Sequence, residues 1–352
     1  LYAVQMDKSI VLFQMGKKPV SEGMNILGAH IDSPRIDIKQ RPLYETEGFA
    51  YLDTHYYGGI KKYQWTTIPL ALHGVVAKKD GTVVKISIGE KDDEPVFVIT
   101  DLLIHLAGEQ MAKKADAVIA GEKLDLLIGN RPLQQSEELD KEEKEAVRAN
   151  ILRLLSETYG IEEEDFLSAD LEIVPAGRAR DLGVDRSMIL AYGHDDRVCA
   201  FTSVFAMLDL ADEITEHTLC CLLVDKEEIG NVGATGMASQ FFENTIAELV
   251  AATERDSQLL VRRALASSKM LSSDVSAGFD PLYADVYEKK NSAFLAKGLA
   301  FNKYTGSRGK RGSSEATAEF VAQIRRIMED ADVMYQFSEL GKVDAGGGGT
   351  IA

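Results

Sequence analysis

Leu219 to Val224 is an unbroken apolar run, short and bounded by polar residues on both sides. Such a run predicts a strand buried on both faces, as in the parallel sheets of α/β proteins. It is followed at once by Asp225, Glu227 and Glu228, then by Gly230, Gly233 and Gly236, then by a helix-like segment over 237–250. Open α/β sheets build their sites just past the carboxyl ends of their strands. Acidic side chains placed there bind a metal ion or hold a proton for general-base work. Taken alone, two adjacent acids are more often a solvated turn.

The pattern recurs. The apolar run over 24–29 ends on His30-Ile-Asp32-Ser-Pro34, and Pro34 prevents the ladder from continuing. A strand expected over 188–192 leads into Gly193-His-Asp195-Asp196-Arg197 and an apolar helix over 198–210. A helix expected over 259–270 leads into Ser272-Ser-Asp274. If the strands lie parallel, His30, Asp195, Asp196, Glu227, Glu228 and Asp274 all emerge along one sheet edge. One imidazole nitrogen with several carboxylate oxygens suits zinc, cobalt or manganese, and two such ions can share a bridging carboxylate. Each residue also has a simpler reading: His30 a structural histidine, Asp195 a helix cap, Asp274 a cap or turn. Agreement in both position and residue type is what favours the metal site.

Between the first two of these segments the texture changes. A strand over 7–15 belongs to the α/β frame. From about Asp37 onward, strands over 70–78 and 82–88 flank Asp80-Gly81, a hairpin signal. A strand over 95–100, a helix over 101–115 and a strand over 171–174 come next. Residues 136–159 read as a charged amphipathic helix with Val147, Ile151, Leu154 and Leu155 on one face and Gly160 closing it. The expected organisation is an α/β domain over 1–37 and 179–352, ending with a helix over 316–328 and interrupted by a β-rich unit over 38–178.

Several function classes fall away. A net charge of −17 argues against nucleic acid as a partner. The three cysteines, Cys199, Cys220 and Cys221, form no CxxC pair, which fits a reducing cytoplasm better than a disulfide framework. No stretch is apolar for long enough to span a membrane, and the first residues do not resemble a signal peptide. The chain begins on Leu1 and stops after a glycine run at Ala352, so a fragment of a longer protein is expected. The basic segment 303–311 is no phosphate loop, since Tyr304 stands where that pattern needs glycine. It is left as a solvated loop or a cationic clamp for a peptide carboxylate.

Gly28-Ala-His30-Ile-Asp32-Ser-Pro-Arg35, Tyr56-Tyr-Gly-Gly-Ile, Asp101-Leu-Leu-Ile-His105-Leu, Gly193-His-Asp-Asp-Arg197, Asp225-Lys-Glu-Glu-Ile-Gly230, Ser273-Asp274-Val, Lys303-Tyr-Thr-Gly-Ser-Arg-Gly-Lys310 and Glu339-Leu-Gly-Lys-Val-Asp-Ala-Gly-Gly-Gly-Gly-Thr350 together resemble the M18 metalloaminopeptidases, the aspartyl aminopeptidase family, in bacterial form. The resemblance runs through essentially the whole chain in order. It implies a three-layer α/β zinc-peptidase domain (phosphorylase/hydrolase-like) with an inserted β-rich dimerisation domain. It implies two Zn2+ per subunit, with Co2+ or Mn2+ as substitutes. His30 and Asp274 would hold the first ion, Asp195 would bridge both after an unusual cis peptide, and Glu228 would hold the second. Asp32 would orient His30, Glu227 would be the general base, and Lys303 would hold substrate, with Arg308 and Lys310 as further clamp residues. Dimers would build a tetrahedral dodecamer.

The expected reaction is removal of an acidic or neutral N-terminal residue from peptides, with water activated at the metal pair and Glu227 relaying its proton. Two departures bear on it. The family's last metal ligand, a His beyond the glycine run, is not reached by residue 352. Ala277 stands where eukaryotic members carry an additional His, which puts a strict preference for acidic residues in doubt. The alternatives are a related dinuclear amidohydrolase or deacylase, and a catalytically impaired peptide-binding assembly protein.

Overall fold

The computed structural model describes residues 1–133 and 145–351, which form two compact units, Leu1–Ser33 with Gly193–Ala352, and Pro34–Tyr192. The second unit takes in the segment 38–178 expected as an insertion. Its first strand starts at Arg35, directly after Pro34, and its last hairpin closes at Leu190.

In the first unit a five-stranded sheet runs in the order Tyr2–Gln5, Ser9–Gln14, Thr218–Val224, Met24–His30, Lys269–Ser272. The last three are parallel, with Val224 beside His30 and both Leu222 and Ser272 level with Gly28. Thr218–Val224, which holds the unbroken apolar run, is central, and Leu222 is 0 % exposed. Its alternate side chains serve opposite faces, as the pleat requires. Cys220, Leu222 and Val224 pack with Ile246, Val250 and Val261 of the helices Phe241–Thr253 and Gln258–Ser267. Cys221 and Leu223 pack with Ala200 of the helix His194–Asp209 on the other face. Helices on both faces of one sheet make the three-layer α/β architecture expected from sequence. The strand expected over 7–15 is present as Ser9–Gln14, paired in a hairpin with Tyr2–Gln5 before it.

In the second unit six strands form an antiparallel sheet in the order Val83–Ile88, Leu70–Ala77, Ala169–Pro175, Arg35–Thr46, Phe49–Tyr57, Leu126–Gly129. Ile36, Leu70, Leu126 and Ile173 lie in its core. The helix Ala146–Tyr159 buries Val147 and packs Ile151, Leu152 and Leu155 there, while Leu154 is 43 % exposed, so Leu152 takes the place expected for Leu154. Gly160 closes that helix in the left-handed conformation, as expected. Residues 136–144 of the expected helix lie outside the described residues.

Three expected elements differ. Residues 95–100 form only isolated bridges, Phe97 with Leu70 and Val98 with Leu127. The helix expected over 101–115 shrinks to two single turns, Ile104–Leu106 and Gly108–Met111. Leu102, Ile104 and Leu106 stay exposed, and a short helix with no buried face lacks what normally stabilises it. Met188–Leu190 pairs only with Arg180–Leu182 in an exposed two-stranded ribbon, so it is not a strand of the α/β sheet. The helix expected over 259–270 ends at Ser267, and Lys269–Ser272 joins the sheet as its edge strand. Among the described residues no helix is long and apolar enough to cross a membrane.

Leu222 is fully enclosed in the middle of the sheet. Leu222→Ala is expected to cost about 3 kcal/mol from lost transfer energy and the cavity left behind, read as a lower urea midpoint with unchanged slope.

Candidate metal centre

Val224 and His30 end their strands level with one another, and the edge strand ends at Ser272, level with Gly28, so the residues at and just past the three ends are delivered to one place. His30 is the last residue of its strand and only 1 % exposed. Its Nδ1 lies 3.0 Å from the backbone oxygen of Asp32, to which it donates, and 3.4 Å from Asp32 Oδ1. That fixes the tautomer and turns the lone pair of Nε2 outward. Asp32 in turn accepts the backbone N–H of Glu227 on Oδ1 at 3.1 Å and that of Glu228 on Oδ2 at 3.2 Å. One buried carboxylate therefore holds the turn after one strand against the histidine that ends the next.

Nε2 of His30 faces Asp195 Oδ1 at 3.0 Å and Asp274 Oδ1 at 3.7 Å. Asp195 comes from the start of the His194–Asp209 helix rather than from a sheet strand, and the Asp195–Asp196 peptide is cis. Its backbone oxygen accepts the Ser33 hydroxyl at 2.5 Å, while the Arg197 guanidinium donates to the Ile31 carbonyl. Asp274 comes two residues after the edge strand Lys269–Ser272. Ligand atoms of His30, Asp195 and Asp274 lie within 4.8 Å of one another, as do those of His30, Glu227 and Glu228.

This arrangement fits a cation. His30 Nε2 and Asp195 Oδ1 have only each other and Asp274 to face, while Glu228 Oε1 and both carboxylate oxygens of Asp196 are buried without a hydrogen-bond partner among the described residues. Unpaired buried charge is costly, and coordination is the usual remedy. Burial alone would lower the basicity of His30, but the carboxylates of Asp195, Asp274 and Asp32 push it up to about 12. Burial, then the charge of Asp195, moves Glu228 up to about 8. Burial moves Asp196 up to about 7. Glu227 is also raised, again chiefly by burial. A mixed nitrogen and oxygen donor set of this kind matches zinc.

A cavity of about 590 Å³ opens onto these groups, lined by Asp195, Glu227, Glu228, Asp274 and Lys303 among others. Of the three basic residues singled out from sequence, only Lys303 lines it. Lys310 is paired with Glu315 at 2.7 Å and lies 3.9 Å from the Tyr304 ring centre. Arg308 donates through Nε to the Asp344 carbonyl at 3.1 Å and lines a neighbouring cavity. Sequence reasoning gave no role to the glycine run. A Cβ at Gly349 would stand 3.0 Å from Glu227 Oε1, so the run lets backbone approach the acid directly. It also gave none to Ser272 and Ser276, whose hydroxyls are buried and unpartnered near Asp274. Nothing in their sequence pattern marked them.

Residues 1–352 match the family model described as aminopeptidase I zinc metalloprotease (M18). A curated relative, a probable M18 family aminopeptidase 1 of Clostridium acetobutylicum, is 57 % identical over 352 residues, covering 100 % of this chain and 74 % of the relative. The crystal structure of an M18 family aminopeptidase from Thermotoga maritima superposes with a TM-score of 0.93 at 45 % identity, covering 100 % of this chain and 76 % of that one. A more distant match, at 19 % identity and a TM-score of 0.73 over 97 % of this chain and 74 % of the other, is the mApe1 dodecamer of S. cerevisiae, a likeness of fold.

Zinc added to chelator-treated protein is expected to raise the melting temperature by several degrees. A ligand at about a hundred times its Kd adds roughly 2.7 kcal/mol. Asp195→Ala is expected to lose most of that shift and to retain little zinc by metal analysis after dialysis; an unchanged shift would remove Asp195 from the ligand set.

Proposed function

The chain belongs to the M18 family of zinc aminopeptidases, and from that premise we propose that the site around His30 removes single N-terminal residues, acidic or neutral, from peptides with a dinuclear zinc centre and Glu227 as general base. The observation that carries this reading is the convergence of His30, Asp195, Glu227, Glu228 and Asp274, whose ligand atoms fall in two groups that share His30, at a cavity that the four acids line.

His30, Asp195 and Asp274 would hold one ion, and Asp195 with Glu228 a second. When bound, zinc supplies Lewis acidity that polarises a peptide carbonyl and acidifies water. The remaining work falls to the chain. Asp32 keeps the His30 ring in the tautomer that presents Nε2, and keeps the Glu227–Glu228 turn in place through two backbone hydrogen bonds. Glu227 takes the proton of the attacking water on its carboxylate and returns it to the leaving amine, a task for which its raised proton affinity is matched. The free α-amino group of the substrate is cationic before it binds and is drawn to the surplus carboxylates, which makes the enzyme an exopeptidase. Lys303, on the cavity wall, holds the substrate backbone or an acidic side chain.

Self-association rests on the same premise. The S. cerevisiae relative is a dodecamer, and we extend assembly from dimers to this chain, with the Pro34–Tyr192 unit supplying dimer contacts. The exposed Leu102, Ile104 and Leu106 of that unit support such a contact. The unpaired thiols of Cys199, Cys220 and Cys221 suit a cytoplasmic location.

Glu227→Gln keeps the shape of the side chain and removes its basicity. It is expected to lower kcat on aminoacyl anilides by about a hundredfold or more while metal content stays that of the parent. Full turnover would reassign the base. The parent enzyme is expected to cleave aminoacyl anilides and leave N-acyl amino acids intact; the reverse preference would identify a deacylase.

A further inference from the structure

Beside the catalytic cavity lies a second one, of about 570 Å³, with a different chemistry: its wall is Arg308 and Arg311 together with Ser307 and backbone of Gly306, Gly348 and Gly349. The last three glycines also line the catalytic cavity, so the two chambers adjoin along that backbone. Within a chain of net charge −17 this is a concentrated patch of positive charge. Arg311 has no ion-pair or hydrogen-bond partner for its side chain among the described residues, in contrast to Lys310, which Glu315 neutralises. Arg308 has only its Nε engaged, by the Asp344 carbonyl.

The backbone is shaped for the same purpose. Arg308 and Lys310 sit at φ +50 and +59, and a Cβ at Gly347 would fall 2.7 Å from the carbonyl carbon of Gly306. Non-glycine residues held in the left-handed region are uncommon and persist where the surroundings impose them. Arg308 and Lys310 lie in the turn over 308–312, and Arg308 and Arg311 of that turn both line the chamber. Guanidinium groups bind carboxylates through paired donors, which gives direction as well as charge attraction.

The shared wall fixes which part of a substrate would reach the arginines. Gly349 lies against Glu227, the group that hands its proton to the leaving amine. The acids that would draw the amino end, Asp195, Glu228 and Asp274, line the catalytic cavity and not this chamber. The chamber next to Glu227 is therefore on the leaving-group side of the scissile bond.

We propose that Arg308 and Arg311 form an anion subsite that receives a carboxylate on the leaving-group side of the substrate, so that the enzyme favours peptides carrying a negative charge just past the cleaved bond. This rests on the aminopeptidase reading and adds the substrate class that reading leaves open. Two sources supply that chemistry: the terminal carboxylate of a short peptide, or an acidic side chain in the residue after the bond.

The test compares kcat/KM of the zinc-loaded enzyme on Leu-Gly-Gly against its carboxyl-terminal amide, and on Leu-Asp-Gly-amide against Leu-Asn-Gly-amide. The charged member of at least one pair is expected to be preferred by roughly tenfold, less at high salt. Arg311→Gln and Arg308→Gln should each reduce that ratio toward unity, a readout that a uniform loss of active enzyme would not move. The pair that shows the preference names the source of the carboxylate. Cleavage of both members of both pairs at equal rates overturns the subsite and leaves the aminopeptidase reading standing, as does a preference that survives both substitutions. If none of the peptides is cleaved, the aminopeptidase reading fails. Calorimetry with diglycine against glycylglycinamide then decides the subsite, and equal affinities for the parent protein overturn it.

Discussion

The mutual repulsion of carboxylates gathered about one buried imidazole is the constraint on which the α/β unit depends. Asp32, Asp195, Glu227, Glu228 and Asp274 meet around His30, and Asp196 is wholly buried beside them. Burial, with neighbouring acids adding to it, raises the cost of ionising Glu228 and Asp196. The backbone carries these acids to one place, where Asp195 and Asp274 lie close to His30. The parallel register that sets Val224 beside His30 does most of this. The two hydrogen bonds from Glu227 and Glu228 to Asp32 complete it. A bound cation reverses the sign of the electrostatics, turning the least comfortable part of the fold into the part that selects its ligand.

That arrangement explains the division of labour between the sheet's two faces. The helices Phe241–Thr253 and Gln258–Ser267 bury a broad apolar face and only support the strands. The helix His194–Asp209 packs on the other face through a smaller cluster and contributes Asp195 from its first turn. A ligand arriving from a helix start can be set at an angle that a strand end cannot reach, because successive strand side chains alternate between faces. The site is thus assembled from both layers, and its precision depends on the packing that holds them at a fixed spacing.

The basic loop near residue 308 shows how far charge alone misleads. Lys303, Arg308 and Lys310 look equivalent along the chain, yet Lys303 lines the catalytic cavity, Lys310 is consumed by Glu315, and Arg308 turns to the chamber beyond. Arg311, which has no pattern to distinguish it, stands with Arg308. Backbone conformation does not sort them, since Arg308 and Lys310 both sit at positive φ; what differs is the partner each side chain meets, the Asp344 carbonyl for one and Glu315 for the other.

The linear chain already determined the buried strand at 218–224, the acids after it, the α/β class and the presence of a β-rich insertion. All of these come from local apolar patterning and from residue type. The gathering of acids about His30 was legible in part, since His30, Glu227, Glu228 and Asp274 each follow an apolar segment, and their roles as ligands belong to the proposal. Tertiary structure decided what local patterning cannot carry. The Met188–Leu190 run has strand chemistry but pairs with Arg180–Leu182 away from the central sheet. The apolar residues over 102–106 have helical character but no face to bury. Leu152 faces the core where Leu154 was expected. Which strand a segment pairs with, and what its apolar side chains find to cover them, depends on residues far away in the chain, so no window of sequence contains the answer.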